Sequence, residues 1–174
     1  FTINAVSSAI ILLEIIDGRD IGKYVKIYLD VCCLNRPFDD QSQDRIRLEA
    51  EAVLLILTRV QNEGWIWYSS DVVFDEIEQT PDSKRRERVM QLNAHASDVY
   101  RLSETDIARA RVLTSLGFSN MDALHIVCAE SCGADVFLTT DDRLFRRAVR
   151  IAEQLQVVVE NPLHWLVRQE ESES

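Results

Sequence analysis

Four acidic residues, Asp30, Glu76, Asp122 and Asp141, stand where solvation alone does not account for them. Asp30 ends the apolar run Val25-Lys-Ile-Tyr-Leu29 just before Asn35, Pro37 and the Asp39-Asp40 pair break the pattern, so it sits near the carboxyl end of a buried strand that opens into a loop. Asp141 directly follows a second apolar run, Asp135-Val-Phe-Leu-Thr-Thr140. Glu76 falls in the first two turns of a helix that Ser69 or Ser70 can cap, and Asp122 in the first turn of a helix from Met121 to Cys132. Desolvating a single carboxylate costs roughly several kcal/mol unless it is paired or bound to a metal. Taken singly, Asp30 can cap the loop after it, and Asp122 and Asp141 can pair with helix amino ends. Taken together, four carboxylates would repel one another and raise each other's pKa. A hard divalent cation with oxygen ligands, such as Mg²⁺, is the simplest remedy. Such a centre lowers the pKa of a bound water and stabilises charge on a leaving oxygen, which is phosphoryl or phosphodiester chemistry.

The four acids converge only if the elements bring them to one edge, and the order of elements predicts that they do. Asp44 to Glu63 has a helical pattern, with Leu48, Ala52, Leu55 and Val60 marking its apolar side and Gly64 stopping it. Trp65-Ile-Trp-Tyr68 follows as a second strand, then the helix of Glu76, then a helix from Pro81-Asp82-Ser83 to about His95. Val99-Tyr-Arg-Leu102 reads as a third strand, and Ser103-x-x-Asp106 as a capping box before a helix that Gly117 ends. Ser119 or Asn120 caps the Met121–Cys132 helix, which is apolar almost all round and so belongs in the core. Asp135–Thr140 is a fourth strand, Asp142 to Gln154 a helix and Val157-Val-Val159 a fifth strand, before a last short helix around Trp165. Alternating strands and helices at this spacing predict an α/β sandwich with a mainly parallel sheet. In a βα unit the carboxyl ends of strands and the amino ends of the following helices share one edge, where open parallel sheets bind ligands.

Composition narrows the partners. The 174 residues are 47% hydrophobic and carry a net charge of −10, from 19 basic and 29 acidic side chains. That charge excludes a coat protein held to nucleic acid by bulk phosphate attraction, but not an enzyme whose carboxylates take metal before substrate. Part of the excess lies in an acidic tail, 169–174, expected to be solvated. The segment 1–24 is an N-terminal extension whose role the sequence does not define. Its apolar Ala9-Ile-Ile-Leu-Leu13 is too short for a membrane span and lacks the layout of a signal peptide. Cys32, Cys33, Cys128 and Cys132 form no C-x-x-C pair and read as free thiols of a reducing, cytoplasmic protein.

At this point the residues resemble a family. The Leu29-Asp30 strand end, Ser70 to Glu76-Ile77, Met121-Asp-Ala-Leu-His-Ile-Val-Cys-Ala129 and Phe137-Leu-Thr-Thr-Asp141 are similar, in order and spacing, to the four acidic motifs of PIN-domain ribonucleases. The resemblance covers about residues 25–165, and the domain it implies is 25–168. Among PIN domains the chain looks most like the small VapC-like toxins of bacterial toxin–antitoxin pairs. The resemblance implies a three-layer α/β/α sandwich with a five-stranded sheet of order 3-2-1-4-5. It also implies Mg²⁺- or Mn²⁺-dependent cleavage of single-stranded RNA at Asp30, Glu76, Asp122 and Asp141, and a protein antitoxin that blocks the site. A homodimer is compatible with it. One departure stands out: members usually carry Thr or Ser just after the first Asp, whereas Val31-Cys32-Cys33 follows here. Support for Asp30 is then expected from Asn35 or Thr139.

The remaining constellations carry less. His125, Cys128 and Cys132 on one helix lack a fourth ligand for zinc and read as packing, with His125 beside Asp122 as the alternative role. Arg143, Arg146, Arg147 and Arg150 recur at helical spacing behind Asp141. They are either a solvated helix face or, for Arg143, Arg146 and Arg147, contacts for the RNA backbone. Lys84, Arg85, Arg86 and Arg88 stand further from any of the acids, so solvent or antitoxin is their expected partner. A dehalogenase-like phosphatase would need an Asp where Cys32 stands, and no Gly-rich phosphate loop occurs. The alternative from another class is a PIN-like protein- or RNA-interaction module that hydrolyses nothing.

Overall fold

The computed structural model describes residues 24–173, the side chain of Glu173 excepted. Five strands form one sheet: β1 Lys26–Leu29, β2 Ile66–Ser70, β3 Asp98–Tyr100, β4 Val136–Leu138 and β5 Val158–Glu160. Their order is β3-β2-β1-β4-β5 and every pairing is parallel. Among the described residues eight α-helices connect and flank them: α1 Val31–Asn35, α2 Asp44–Asn62, α3 Asp71–Glu78, α4 Ser83–Asn93, α5 Glu104–Ser115, α6 Asn120–Ser131, α7 Asp142–Arg150 and α8 Pro162–Glu173.

β1 is central, and its Ile27, Tyr28 and Leu29 have no exposed surface, as expected of a parallel strand covered on both faces. The chain steps outward from β1 to β2 to β3, then jumps back across to β4 and β5. Right-handed crossovers therefore send the two sets of connections to opposite faces. On one face Trp67 of β2 lines a small cavity with Leu57 and Val60 of α2 and Leu92 of α4. On the other, Tyr28 meets His125 of α6 and Phe137 of β4 edge-on. Along β1 alternate residues serve the two layers, which is the period of two inherent in a strand.

The predicted caps are formed. Ser70 accepts from the Val73 amide at 3.2 Å and Ser119 from the Asp122 amide at 3.1 Å. Ser103 and Asp106 make both bonds of the capping box. Gly117, which ends α5, has φ +100°, where a side chain would be strained.

Three local expectations are corrected. Val31–Asn35 is a short helix, not loop; Asp30 occupies its N-cap position, and the 3₁₀ turn Arg36–Phe38 follows it. The helix expected over Asp142–Gln154 stops at Arg150, and Ala152–Gln154 is a 3₁₀ turn. The residues from 169 are not a detached tail, because α8 runs through Glu173 and Glu170 pairs with Arg59 of α2. The expectations for 1–23, the apolar Ala9–Leu13 stretch and the turn at Asp17-Gly18, lie outside the described residues.

Candidate metal centre

Each acid arrives by its own element. Asp30 is the first residue beyond β1, and its amide donates to the Leu138 carbonyl of β4 at 3.0 Å, which ties it to the sheet edge. It is 7% exposed. Thr139 donates its hydroxyl to Asp30 Oδ2 at 2.7 Å, and Cys32 donates its thiol to the same oxygen at 3.1 Å. Thr139 is thus placed as expected. Asn35 is not: its amide donates to the Val31 carbonyl at 3.0 Å, four residues back, and its Oδ1 receives Arg85. The physical reason is the short helix, which turns Asn35 onto its own backbone. Cys32 supplies support to Asp30 that Asn35 does not. A thiol is a weak donor, but here it also accepts from the Thr140 amide at 3.2 Å, so its direction is fixed.

Glu76 reaches the edge from the second turn of α3 and is about a third exposed, at 35% for its side chain. Its Oε2 lies 2.6 Å from Nε2 of His125, which is 1% exposed. One ligand atom from each of Asp30, Glu76 and His125 lies within 4.8 Å of the others.

Asp122 and Asp141 lie outside that 4.8 Å group. Both line a cleft of about 280 Å³ with Gly117, Phe118, Ser119, Arg143, Leu144 and Arg147. Asp141 caps α7, its Oδ1 accepting from the amides of Arg143 and Leu144 at 2.7 and 3.2 Å. The capping role considered for it is therefore real, and it engages one oxygen only. Asp122 is half-buried, and its pKa is raised: burial is the largest cause, followed by the charges of Asp30 and Asp141, against the pull of Ser119. The repulsion argued from sequence is thus present between Asp122 and two of its partners. For His125, burial opposes the charged form, but the Glu76 hydrogen bond and the charges of Asp30, Glu76 and Asp122 outweigh it and raise its pKa.

The donor set fits a hard divalent cation. Among the described residues one oxygen on each of Asp30, Glu76 and Asp141 accepts no hydrogen bond, while the other is anchored. A carboxylate with one oxygen anchored and the other accepting no hydrogen bond can take up a hard divalent cation.

The arginines divide. Arg143 and Arg147 line the Asp122–Asp141 cleft, whereas Arg146 donates to the Asp142 carbonyl at 3.2 Å, away from it. Arg147 packs against Gly117 so closely that a Cβ there would overlap its guanidinium. Among the described residues Arg85, expected further from the four acids, contacts none of them through a hydrogen bond; it donates to Asp39 at 2.7 Å and to the Phe38 carbonyl at 2.7 Å. Sequence reasoning gave His125 to packing or to Asp122. Its partner is instead Glu76, 49 residues away on another helix. The available signal was a histidine one turn beyond Asp122 on a core helix, but no spacing rule pairs it with a carboxylate on α3.

No protein-family model and no curated protein matches the sequence. Solved structures are similar, two of them as follows. A chain of VapBC-1 from nontypeable Haemophilus influenzae aligns at TM-score 0.50 and 15% identity, covering 79% of this chain and 98% of that one. A chain of VapBC2 from Rickettsia felis, solved with a DNA fragment from its promoter, aligns at TM-score 0.49 and 13% identity with the same coverage. At these identities the likeness is one of fold, and it rests on the first. The chain has the PIN-like α/β fold that the motif resemblance implied, with strand order 3-2-1-4-5, and is similar in fold to a chain of VapBC-1.

Proposed function

We propose that the protein is a Mg²⁺- or Mn²⁺-dependent endoribonuclease that hydrolyses phosphodiester bonds of single-stranded RNA, acting as the toxin of a toxin–antitoxin pair. The observation that carries the reading is the approach of Asp30 and Glu76, with His125, to within 4.8 Å, and it is supported by Asp122 and Asp141 lining one cleft and by the charges of Asp30 and Asp141 acting on Asp122. The likeness to VapBC-1 supports the toxin assignment by analogy of fold, which is a weaker warrant than the site. The cytoplasm is the proposed compartment, in keeping with four free cysteines. Among the described residues no helix is long and apolar enough to cross a membrane.

Asp30, Glu76, Asp122 and Asp141 would hold the metal, which when bound supplies a water of lowered pKa and charge stabilisation at the leaving oxygen. Thr139 and Cys32 keep Asp30 aimed at the site through its Oδ2. The Asp141 cap on α7 fixes the wall from which Arg143 and Arg147 can hold flanking phosphates. Arg146 is left to the solvated face. With this division the acids attract no RNA by themselves, and binding depends on divalent cation.

The test is fluorescence anisotropy of a labelled single-stranded RNA with the purified protein, as Mn²⁺ is added. Affinity that rises with Mn²⁺, and an Asp122→Asn, Asp141→Asn double variant that does not respond, is the expected result. A wild type whose affinity is unchanged or weakened by Mn²⁺ would favour the non-catalytic interaction module instead.

A further inference from the structure

Behind Glu76 lies a chain of buried hydrogen bonds that the catalytic reading does not require. The Val73 amide donates to Ser70 Oγ at 3.2 Å, Ser70 Oγ and the Tyr28 hydroxyl are 2.7 Å apart, and the Tyr28 hydroxyl is 3.0 Å from Nδ1 of His125. Nε2 of His125 closes the series on Glu76 at 2.6 Å. Tyr28 and Ser70 have no exposed surface, and the imidazole stacks on Phe137 at a centroid distance of 6.5 Å and an interplanar angle of 20°. No solvent reaches these groups to replace a missing partner, so the protons must be placed consistently.

From this geometry we infer that His125 is a positioning residue for Glu76, and that Tyr28 and Ser70 set the tautomer that makes it one. The inference rests on the reading of Glu76 as a metal ligand. If Glu76 is ionised, a lone pair on Nε2 at 2.6 Å would face a carboxylate oxygen without a proton between them, so Nε2 carries the proton. In the neutral imidazole Nδ1 then accepts from Tyr28, Tyr28 accepts from Ser70, and every hydroxyl proton in the series points toward the carboxylate. In the imidazolium Nε2 is still the donor to Glu76. Either way Nε2 is engaged as N–H and is not a metal ligand, although its distance from Asp30 and Glu76 would allow ligation. Glu76 Oε2 is thereby fixed and Oε1 is the oxygen left to coordinate. Ser70 and Glu76 bracket the first two turns of α3, so the series ties that helix to the core at both ends of the span. A side chain on an outer turn, about a third exposed, gains a direction it could not hold alone. Fixing a carboxylate ligand through a buried hydrogen bond is typically worth about 10- to 100-fold in metal affinity.

Two measurements test this. Long-range ¹H–¹⁵N correlation spectra of the metal-free protein report which ring nitrogen of His125 is protonated, and repeating them with Mg²⁺ reports whether Nε2 is ligated. Titration calorimetry then gives the Mn²⁺ affinity of the wild type, Tyr28→Phe and His125→Leu. Tyr28→Phe keeps the ring packing, so it remains informative if His125→Leu does not fold. A proton on Nε2 with and without Mg²⁺, and Mn²⁺ binding about 10-fold weaker in Tyr28→Phe with an unchanged fold by circular dichroism, is the expected outcome. A bare or metal-bound Nε2, or Mn²⁺ affinity in Tyr28→Phe equal to wild type, would overturn the inference. The spectra of the metal-free protein decide the tautomer without RNA or metal, so a failure of the nuclease reading is seen separately, as a wild type that binds no Mn²⁺.

Discussion

Replacing Asp30 with Asn separates what this residue does for the site from what it does for the fold. Asp30 is 7% exposed and accepts both of its side-chain hydrogen bonds on one oxygen. The Asn carbonyl oxygen can take the place of Oδ2, so Thr139 and Cys32 keep their acceptor. The –NH₂ group then occupies the position of Oδ1, which offers a donor where a cation needs a lone pair. The charge near Asp122 also disappears. Metal-free stability is therefore expected to stay close to wild type or rise, while metal binding collapses. At a Mn²⁺ concentration about 100 times the dissociation constant, binding stabilises the wild type by about 2.7 kcal/mol. A domain of this size shifts its Tm by about 2–4 °C per kcal/mol, so the rise should be about 5–11 °C. A 100-fold weaker site at the same concentration retains about 0.4 kcal/mol, or about 1–2 °C. Differential scanning calorimetry of both proteins, with and without Mn²⁺, gives all four values. Asp30→Asn with an undiminished Mn²⁺ shift would refute the assignment of Asp30 as a ligand. A metal-free variant that melts far below wild type would show that its carboxylate serves the fold instead.

Two predictions concern features outside the acidic cluster. Asp106 is 4% exposed and accepts from the Tyr100 and Ser131 hydroxyls at 2.7 and 2.6 Å and from the Ser103 amide at 2.7 Å. Burial pushes its pKa up, but these donors outweigh burial and hold it below the usual carboxylate value. Its contribution is therefore present above the unfolded pKa, about 3.9, and lost as pH falls through the folded one. Asp106→Ala should cost about 3 kcal/mol at pH 7, from lost charge-assisted bonds and stranded donors, and the deficit should narrow in urea melts below about pH 4. Gly117→Ala should cost about 1–2 kcal/mol for a side chain at φ +100° and also displace the Arg147 guanidinium. RNA affinity should then drop to about that of Arg147→Ala, and a Gly117→Ala protein that binds RNA like wild type would remove Arg147 from the binding surface.

What could be read from the sequence follows the range of the forces involved. Strands β1 and β4, the caps at Ser70, Ser119 and Asp141, and the Ser103–Asp106 box depend on residues a few positions apart, and local pattern places them. The strand order came from the motif resemblance, because which strand lies beside β1 depends on contacts between distant segments. The approach of Asp30 and Glu76 was legible because a parallel sheet puts strand carboxyl ends and the amino ends of the following helices on one edge, whereas His125 as the third member of that group was not. Asn35 was misjudged because the turn after Asp30 winds into a helix that the Asn35–Pro37 break concealed. Cys32 was read as the absence of a hydroxyl, although a thiol can donate too, and only the fold shows it aimed at Asp30. His125 and Arg85 find partners 49 and 46 residues away across helix interfaces, which no periodicity encodes.

The proposed hydrolysis of RNA by water and divalent metal is tested by the chemical ends of the product. A 5′-labelled single-stranded RNA is incubated with wild type and with Asp30→Asn, with Mn²⁺ and with chelator, and the fragments are sized and treated with phosphatase. Attack by water leaves linear phosphate or hydroxyl ends, whereas attack by the RNA's own 2′-hydroxyl leaves 2′,3′-cyclic phosphates. Fragments that appear only with wild type and Mn²⁺, none bearing a cyclic phosphate, are what the account predicts. Cleavage that persists in chelator, that Asp30→Asn performs equally well, or that yields cyclic ends would contradict it.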